Sequence, residues 1–268
     1  MRAWAQRSAA CGLLLLAAAC TSTVTRTDAK GEAKPVPPAP DAEQLKRGAG
    51  VRLELASLYF SRGQFNTALD EIKLAIQVDP NNGPAYNLMG LIYAALGNAS
   101  QAEAGFQRAL QINPRDADTM NNYGWFLCQN QRFKDAEAQF QQALVQPNYR
   151  GAARTLRVMG ICQARDGRLD DAEASLMRSY QIDPSSADTA VSLADVQYRR
   201  GQYERARFYI DRINKSPEQA NAQTLWLGSR IEYKLGNTTL ARGMGDQLKR
   251  RFPQSPEALA FEQGRFND

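Results

Sequence analysis

The chain contains no histidine among its 268 residues. Histidine is the commonest general base and metal ligand in proteins, and it activates serine and cysteine nucleophiles. No GxxxxGK(S/T) stretch is present to bind phosphates, and no GxGxxG motif follows a strand pattern. Adjacent carboxylates such as Asp170 and Asp171 fit helix ends better than a catalytic pair. The sequence therefore predicts a protein that is not an enzyme and that has no cofactor and no metal site.

The net charge is small, and cysteine is scarce. The formal net charge is +5, spread along the chain, which does not favour nucleic-acid binding. Of the four cysteines, Cys128 and Cys162 belong to no CxxC motif, so a redox or metal site is poorly supported. We expect these two to be small buried apolar side chains, although an oxidising compartment would also allow a disulfide.

Long apolar runs are missing as well. The stretch from Ala9 to Ala19 is too short to cross a membrane as a helix, and Arg2 and Arg7 precede it, so residues 1–19 are typical of a signal peptide. The stretch ends Leu-Ala-Ala-Ala-Cys at Cys20, which resembles the signal of bacterial lipoproteins, where the cysteine becomes the lipidated first residue. A plain secretory signal followed by an incidental cysteine is the alternative.

The residues after Cys20 bear on location. In bacterial lipoproteins, an aspartate after the lipidated cysteine tends to retain the protein at the inner membrane, whereas this chain has Thr21. The resemblance therefore implies a lipid anchor in the outer membrane, with the domain facing the periplasm. Residues 20–47 are proline-rich at 34–40 and contain few large apolar side chains, so we predict that the lipidated cysteine is followed by a flexible tether.

The remainder of the chain repeats with a period of 34 residues. Each repeat has two apolar stripes at helical spacing, separated by a turn that usually contains glycine. Prolines such as Pro80 and Pro114 end the second stripe, because proline cannot continue a helix. The pattern is clearest at Tyr86, Met89, Gly90, Tyr93, Gly97, Ala102, Phe106, Ala109 and Pro114.

This set of small, aromatic and proline positions resembles the tetratricopeptide repeat. The resemblance implies an all-α, right-handed superhelical solenoid over 48–254, and we expect it to be a monomer. Ser255 and Pro256 then begin a C-terminal capping helix over 255–268, whose Leu259 and Phe261 would cover the open end of the solenoid. The six repeats are 49–82, 83–116, 117–150, 153–186, 187–220 and 221–254.

In tetratricopeptide proteins the first helix of each repeat lines the concave face, which binds other polypeptides. Amide side chains there can hydrogen-bond a bound backbone, Trp125 can anchor it, and a stripe of arginines can attract acidic residues. We therefore predict binding of a peptide that is apolar at one end and acidic at the other. Packing within the solenoid is the alternative role for the apolar and aromatic members, and a solvated face is the alternative for the arginines. The candidate partner-binding residues are Leu53, Phe60, Asn87, Leu91, Asn121, Trp125, Gln129, Arg157, Arg165 and Tyr198.

Two stretches, Leu53 to Leu69 and Asn121 to Cys128, resemble the type IV pilus biogenesis and stability lipoproteins. That resemblance implies a pilotin, which helps the outer-membrane secretin to localise and multimerise and which has no known cofactor. An adaptor for cell-wall enzymes or for another envelope assembly complex would use the same anchor, tether and solenoid, and it is the alternative function.

Overall fold

The computed structural model describes residues 25–27, 33–35 and 41–267, which fall into two compact units, 1–45 and 46–268. In the first unit, strands β1 (Thr25–Thr27) and β2 (Ala33–Pro35) pair antiparallel, with Thr25 opposite Pro35. The signal peptide expected at 1–19 and the expected lipidation site Cys20 lie outside the described residues. No helix in the described part of the chain combines the length and apolarity needed to cross a membrane.

Thirteen helices follow in the described region. Consecutive helices form antiparallel pairs, and each pair packs against the next. This arrangement confirms the predicted all-α, right-handed superhelical solenoid of six tetratricopeptide repeats with a C-terminal capping helix. The helices are α1 (Ala42–Ser61), α2 (Phe65–Val78), α3 (Gly83–Ala95), α4 (Ala99–Ile112), α5 (Ala117–Gln129), α6 (Phe133–Leu144), α7 (Ala152–Arg165), α8 (Leu169–Ile182), α9 (Ala187–Arg199), α10 (Tyr203–Asn214), α11 (Ala222–Lys234), α12 (Thr238–Arg251) and α13 (Pro256–Glu262).

Helix α1 begins at Ala42, within the segment that the composition predicts to be tether. The Asp41 side chain accepts a hydrogen bond from the Gln44 amide at 2.7 Å, and the Gln44 side chain accepts one from the Asp41 amide at 3.3 Å. This reciprocal pair is a capping box, which satisfies two backbone donors that a helix start otherwise leaves free. The helix therefore starts before the boundary at 48 that the repeat period suggests.

Small residues let the helices of a pair approach each other. A Cβ atom added at Gly90 would lie 2.8 Å from the Phe106 ring, and one added at Gly124 would lie 2.7 Å from Phe140. Because such contacts are too short for any side chain, glycine at these positions sets the crossing distance. Between pairs, the Phe106 and Tyr123 rings stack at 5.6 Å, so the aromatic positions join neighbouring repeats into one core.

Helix α13 packs on α11 and α12 and closes the end of the solenoid. Phe261 lies directly over Gly245, where an added Cβ atom would collide with its ring, and Ala258 is buried. Leu259 is 50% exposed, so it contributes less to the cap than the sequence suggested.

Cys128 on α5 and Cys162 on α7 form a disulfide, with their Cα atoms 5.8 Å apart. The expectation of two free buried thiols is therefore wrong, although both side chains are buried. The two helices are the first helices of neighbouring repeats and pack side by side. Sequence spacing alone does not tell which faces of such helices meet, so the pairing needed the tertiary structure.

Candidate partner-binding groove

The first helices of consecutive repeats lie side by side along the concave face, from α3 through α5, α7 and α9 to α11. A groove of about 500 Å³ runs along α7, α9 and α11, and we refer to it as the distal groove. Its aliphatic lining includes Ile161, Val191, Val196 and Leu227. Its polar and aromatic lining includes Arg165, Ser192, Asp195, Arg199, Gln223, Trp226, Arg230 and Glu257.

Aromatic rings and a backbone carbonyl hold the arginines of the distal groove. The Arg165 guanidinium lies 4.8 Å from the centre of the Trp125 ring, and that of Arg230 lies 4.6 Å from the Tyr198 ring. Arg199 donates a hydrogen bond to the Ala164 carbonyl at 2.8 Å. Such contacts orient each guanidinium, and a guanidinium held in this way can pair with an acidic group of a ligand.

Asp195 is one of the two carboxylates in the lining of the distal groove, and its side chain is half-exposed. Partial enclosure by the surrounding helices raises the pKa of Asp195, and the charges of Arg199 and Arg230 act in the opposite direction. Its nearest contact with Arg199 is 3.9 Å long. The lining of the distal groove therefore holds two carboxylates, those of Asp195 and Glu257, beside the guanidinium groups of Arg165, Arg199 and Arg230.

Of the candidate residues, Arg165 lines the distal groove, and Trp125 and Tyr198 contact its lining through Arg165 and Arg230. Trp125 is half-buried beside Arg165 at the upstream end, and Gln129 on the same helix is exposed. Arg157 is held near Asp188 at 3.7 Å. These residues lie on the first helices α5, α7 and α9.

The candidate asparagines bond within the solenoid. Asn121 is buried, and its amide oxygen accepts a hydrogen bond from the Thr155 hydroxyl at 2.9 Å, which ties α5 to α7. The Asn87 oxygen accepts from the Asn122 side chain at 3.2 Å, which ties α3 to α5. Both amides therefore align neighbouring first helices in this structure, and a role in partner binding stays a prediction.

The apolar candidates lie at the other end of the solenoid. Leu53, Phe60 and Leu91 are partly buried and pack against the core of the first two repeats. The Phe60 ring also lies 5.6 Å from the Phe65 ring on the next helix. The structure therefore separates these three residues from the distal groove, and their binding role also stays a prediction.

The lining residues that α11 and α13 contribute were missed by the sequence interpretation, namely Gln223, Trp226, Leu227, Arg230 and Glu257. In the sixth repeat, several small-residue positions fall one residue late, so its inward positions could not be read from the period. Trp226 and Arg230 stand four residues apart on α11 and therefore share one helix face. That spacing was a usable signal that did not depend on the register of the repeat.

Comparison with known proteins agrees with this geometry. Profiles described as tetratricopeptide repeat match residues 93–157 and 163–226, and one described as TPR repeat matches 56–97. The chain is 26% identical over 250 residues to a protein of Pseudomonas aeruginosa named "Type IV pilus assembly protein PilF", covering 93% of this chain and 96% of that protein.

Two solved structures resemble the chain over nearly their whole length. One is PilW, described as a widely conserved type IV pilus biogenesis factor, with 32% identity, a TM-score of 0.74, and coverage of 80% of this chain and 97% of PilW. The other is Pseudomonas aeruginosa PilF, with 24% identity and a TM-score of 0.72, covering 82% of this chain and 99% of PilF, which shows the shared fold. The repeats, their stacking and the identity to PilW together show that the chain belongs to the tetratricopeptide-repeat family of type IV pilus biogenesis proteins.

Proposed function

We propose that this protein is a non-catalytic pilotin that binds the outer-membrane secretin of the type IV pilus and promotes its localisation and multimerisation. Membership of a family of type IV pilus biogenesis proteins supports a role for this protein in that process. The observation that carries a binding role is the open surface along the first helices, which leads from Trp125 to the distal groove. A solenoid of this kind offers its concave face to a partner polypeptide.

The surface suggests how a secretin segment would be held. The exposed amide of Gln129 can hydrogen-bond a peptide backbone, and the Trp125 ring offers a flat apolar contact. Downstream, Arg165 and Arg199 can pair with acidic side chains of the segment. The same segment would carry aliphatic side chains into the floor formed by residues such as Ile161 and Val191.

The expected lipid anchor completes this proposal. Acylation of Cys20 would place the protein at the outer membrane facing the periplasm, and the segment between Cys20 and α1 would give the solenoid reach. A secretin subunit bound to the groove would then be delivered to the membrane in which its ring assembles. One acyl-bearing protein per captured subunit is sufficient for this role, so a monomer suits it.

Secretin capture by a Trp125→Ala variant tests the groove. We expect a loss of about tenfold in apparent affinity, because truncation of a central aromatic anchor typically costs about 1–2 kcal/mol or more. Phe208→Ala is the matched control, because Phe208 is 70% exposed on the second helix α10, away from the first helices. Unchanged capture by a Trp125→Ala protein with an unchanged circular dichroism spectrum would show that secretin does not bind there.

Substitution of Cys20 tests the anchor separately. In cells carrying Cys20→Ala, we expect secretin to appear in the inner-membrane fraction and its heat-stable multimers to decrease. Correct secretin localisation in these cells would contradict the pilotin role. Co-purification of cell-wall enzymes without secretin from detergent extracts would favour an adaptor instead.

A further inference from the structure

The last described residues fold back onto the inner face of the sixth repeat. The chain turns at Gly264, which has a φ of +67°, and brings Phe266 against α11. The Phe266 ring stacks on Tyr233 with centroids 4.4 Å apart, and it meets Trp226 at 5.3 Å. The Phe261 ring of α13 lies on a third side of the Phe266 ring, edge to face, with the ring centroids 5.8 Å apart. Trp226, Tyr233 and Phe261 thus form a pocket that holds one aromatic side chain, which we name the aromatic pocket.

The backbone of the same segment is also held. The Tyr198 hydroxyl donates a hydrogen bond to the Phe266 carbonyl at 3.2 Å, and Arg230 Nε donates to the same oxygen at 3.4 Å. Lys234 donates to the Asn267 side chain at 2.7 Å. All three donors project from α9 and α11, which line the distal groove. The concave face could bind an extended peptide in the same way. One side-chain ring would occupy a pocket, and one backbone carbonyl would accept hydrogen bonds from donors on α9 and α11.

The aromatic pocket is continuous with the distal groove. We name the last described residues, 264–267, the tail. Trp226 and Arg230 belong to the lining of that groove, and both also contact Phe266 of the tail. A peptide that lies along α7, α9 and α11 would therefore reach the place that Phe266 occupies. The two occupants would use the same atoms, so they would exclude each other at this end.

We expect the tail to exchange between a bound and a released form. Gln263, Gly264 and Asn267 are exposed, and the Phe266 side chain is partly buried. Its ring contacts and hydrogen bonds to neutral and charged donors are of the same order as the conformational entropy lost in ordering a short segment. The bound and released forms of the tail should therefore both be populated.

We propose that the aromatic pocket is a binding site for an aromatic side chain on an extended segment of a partner polypeptide, and that Phe266 is its resident competitor. Tyr198 and Arg230 then recognise the carbonyl of that aromatic residue. The proposal goes beyond the pilotin role and does not require the partner to be secretin.

A variant that ends at Gln263 tests the proposal with the chain's own sequence as the probe. The acetylated peptide Gly-Arg-Phe-Asn-Asp is titrated into this variant, and chemical shifts are followed by ¹⁵N NMR, which detects millimolar binding. We expect saturable shifts at the Trp226 indole and along α11, with the Phe→Ala peptide binding at least about tenfold more weakly. The intact protein should bind the peptide at least about twofold more weakly than the truncated one, because its tethered tail competes at an effective concentration in the millimolar range, which is similar to a millimolar dissociation constant of the peptide.

Two further variants separate recognition from misfolding. Tyr233→Ala removes the stacking partner at a position that is already 41% exposed, so the fold should persist while peptide binding is lost. Phe208→Ala, on α10 and outside the aromatic pocket, should leave peptide binding unchanged. No localised shift at millimolar peptide, or equal binding of the Phe→Ala peptide, would overturn the proposal. Neither result depends on secretin capture, so failure of the pilotin proposal would be seen separately.

Discussion

Reducing the disulfide between Cys128 and Cys162 is expected to lower the free energy of unfolding by about 4 kcal/mol. The bond joins residues 34 positions apart, and closing a loop of that length removes entropy from the unfolded chain, which the chain-entropy relation converts to this value at 25 °C. Reduction leaves both sulfur atoms in place, so no cavity adds to the effect. With a urea dependence of about 2–3 kcal/mol per molar, the unfolding midpoint should fall by roughly 1–2 M.

Urea titrations with and without reductant measure this shift. Trp125 lies on α5 beside the bond, so its fluorescence in a Trp4→Phe/Trp226→Phe background reports on the two joined repeats. A Cys128→Ala/Cys162→Ala protein is the control, and its midpoint should not respond to reductant. Equal midpoints for the oxidised and reduced protein would refute the reasoning, because they would show that closing this loop does not constrain the unfolded state.

Two predictions concern single positions. Gln131 has a φ of +61° where most other repeats have glycine, so Gln131→Gly should raise the free energy of unfolding by about 0.5–1 kcal/mol in thermal or urea unfolding, while Gln131→Ala should be neutral. A hydrogen bond from the Tyr123 hydroxyl at 2.6 Å, with a smaller contribution from Arg132, lowers the pKa of Glu103 below its usual 4.5. The stability that this carboxylate contributes is present above about pH 4.5 and is lost as pH falls through its folded-state pKa. The urea midpoint of the parent protein should therefore exceed that of Glu103→Gln near neutral pH and approach it below about pH 4, and a constant difference across this range would contradict the assignment.

Most of the architecture could be predicted from the sequence because the residues that determine helix pairing and stacking recur in each repeat. Glycine at positions such as Gly90 and Gly124 permits close helix crossing, and the aromatic positions join one pair to the next. These requirements are local and recur every 34 residues. Four clear repeats are therefore enough to predict the fold, even though the sixth repeat is irregular.

The candidate site was predicted less completely. Positions on the first helices could be assigned to the concave face, which brought Arg165 and Tyr198 to the distal groove region, yet the period does not show which of those side chains bond inside the solenoid. Asn121 is an example, since its partner Thr155 belongs to the next repeat. Trp226 and Arg230 escaped notice because the register of their repeat is shifted.

The sequence by itself determined the repeat, the helix pairs and the family, because those depend on residue types at fixed spacing. The tertiary structure alone decided the Cys128–Cys162 bond, the position of Arg165 over the Trp125 ring, and the return of Phe266 to α11. Each of these joins residues on different helices, and their meeting depends on how one repeat rotates against the next. That rotation is set by packing across the whole interface between repeats, which no single repeat contains.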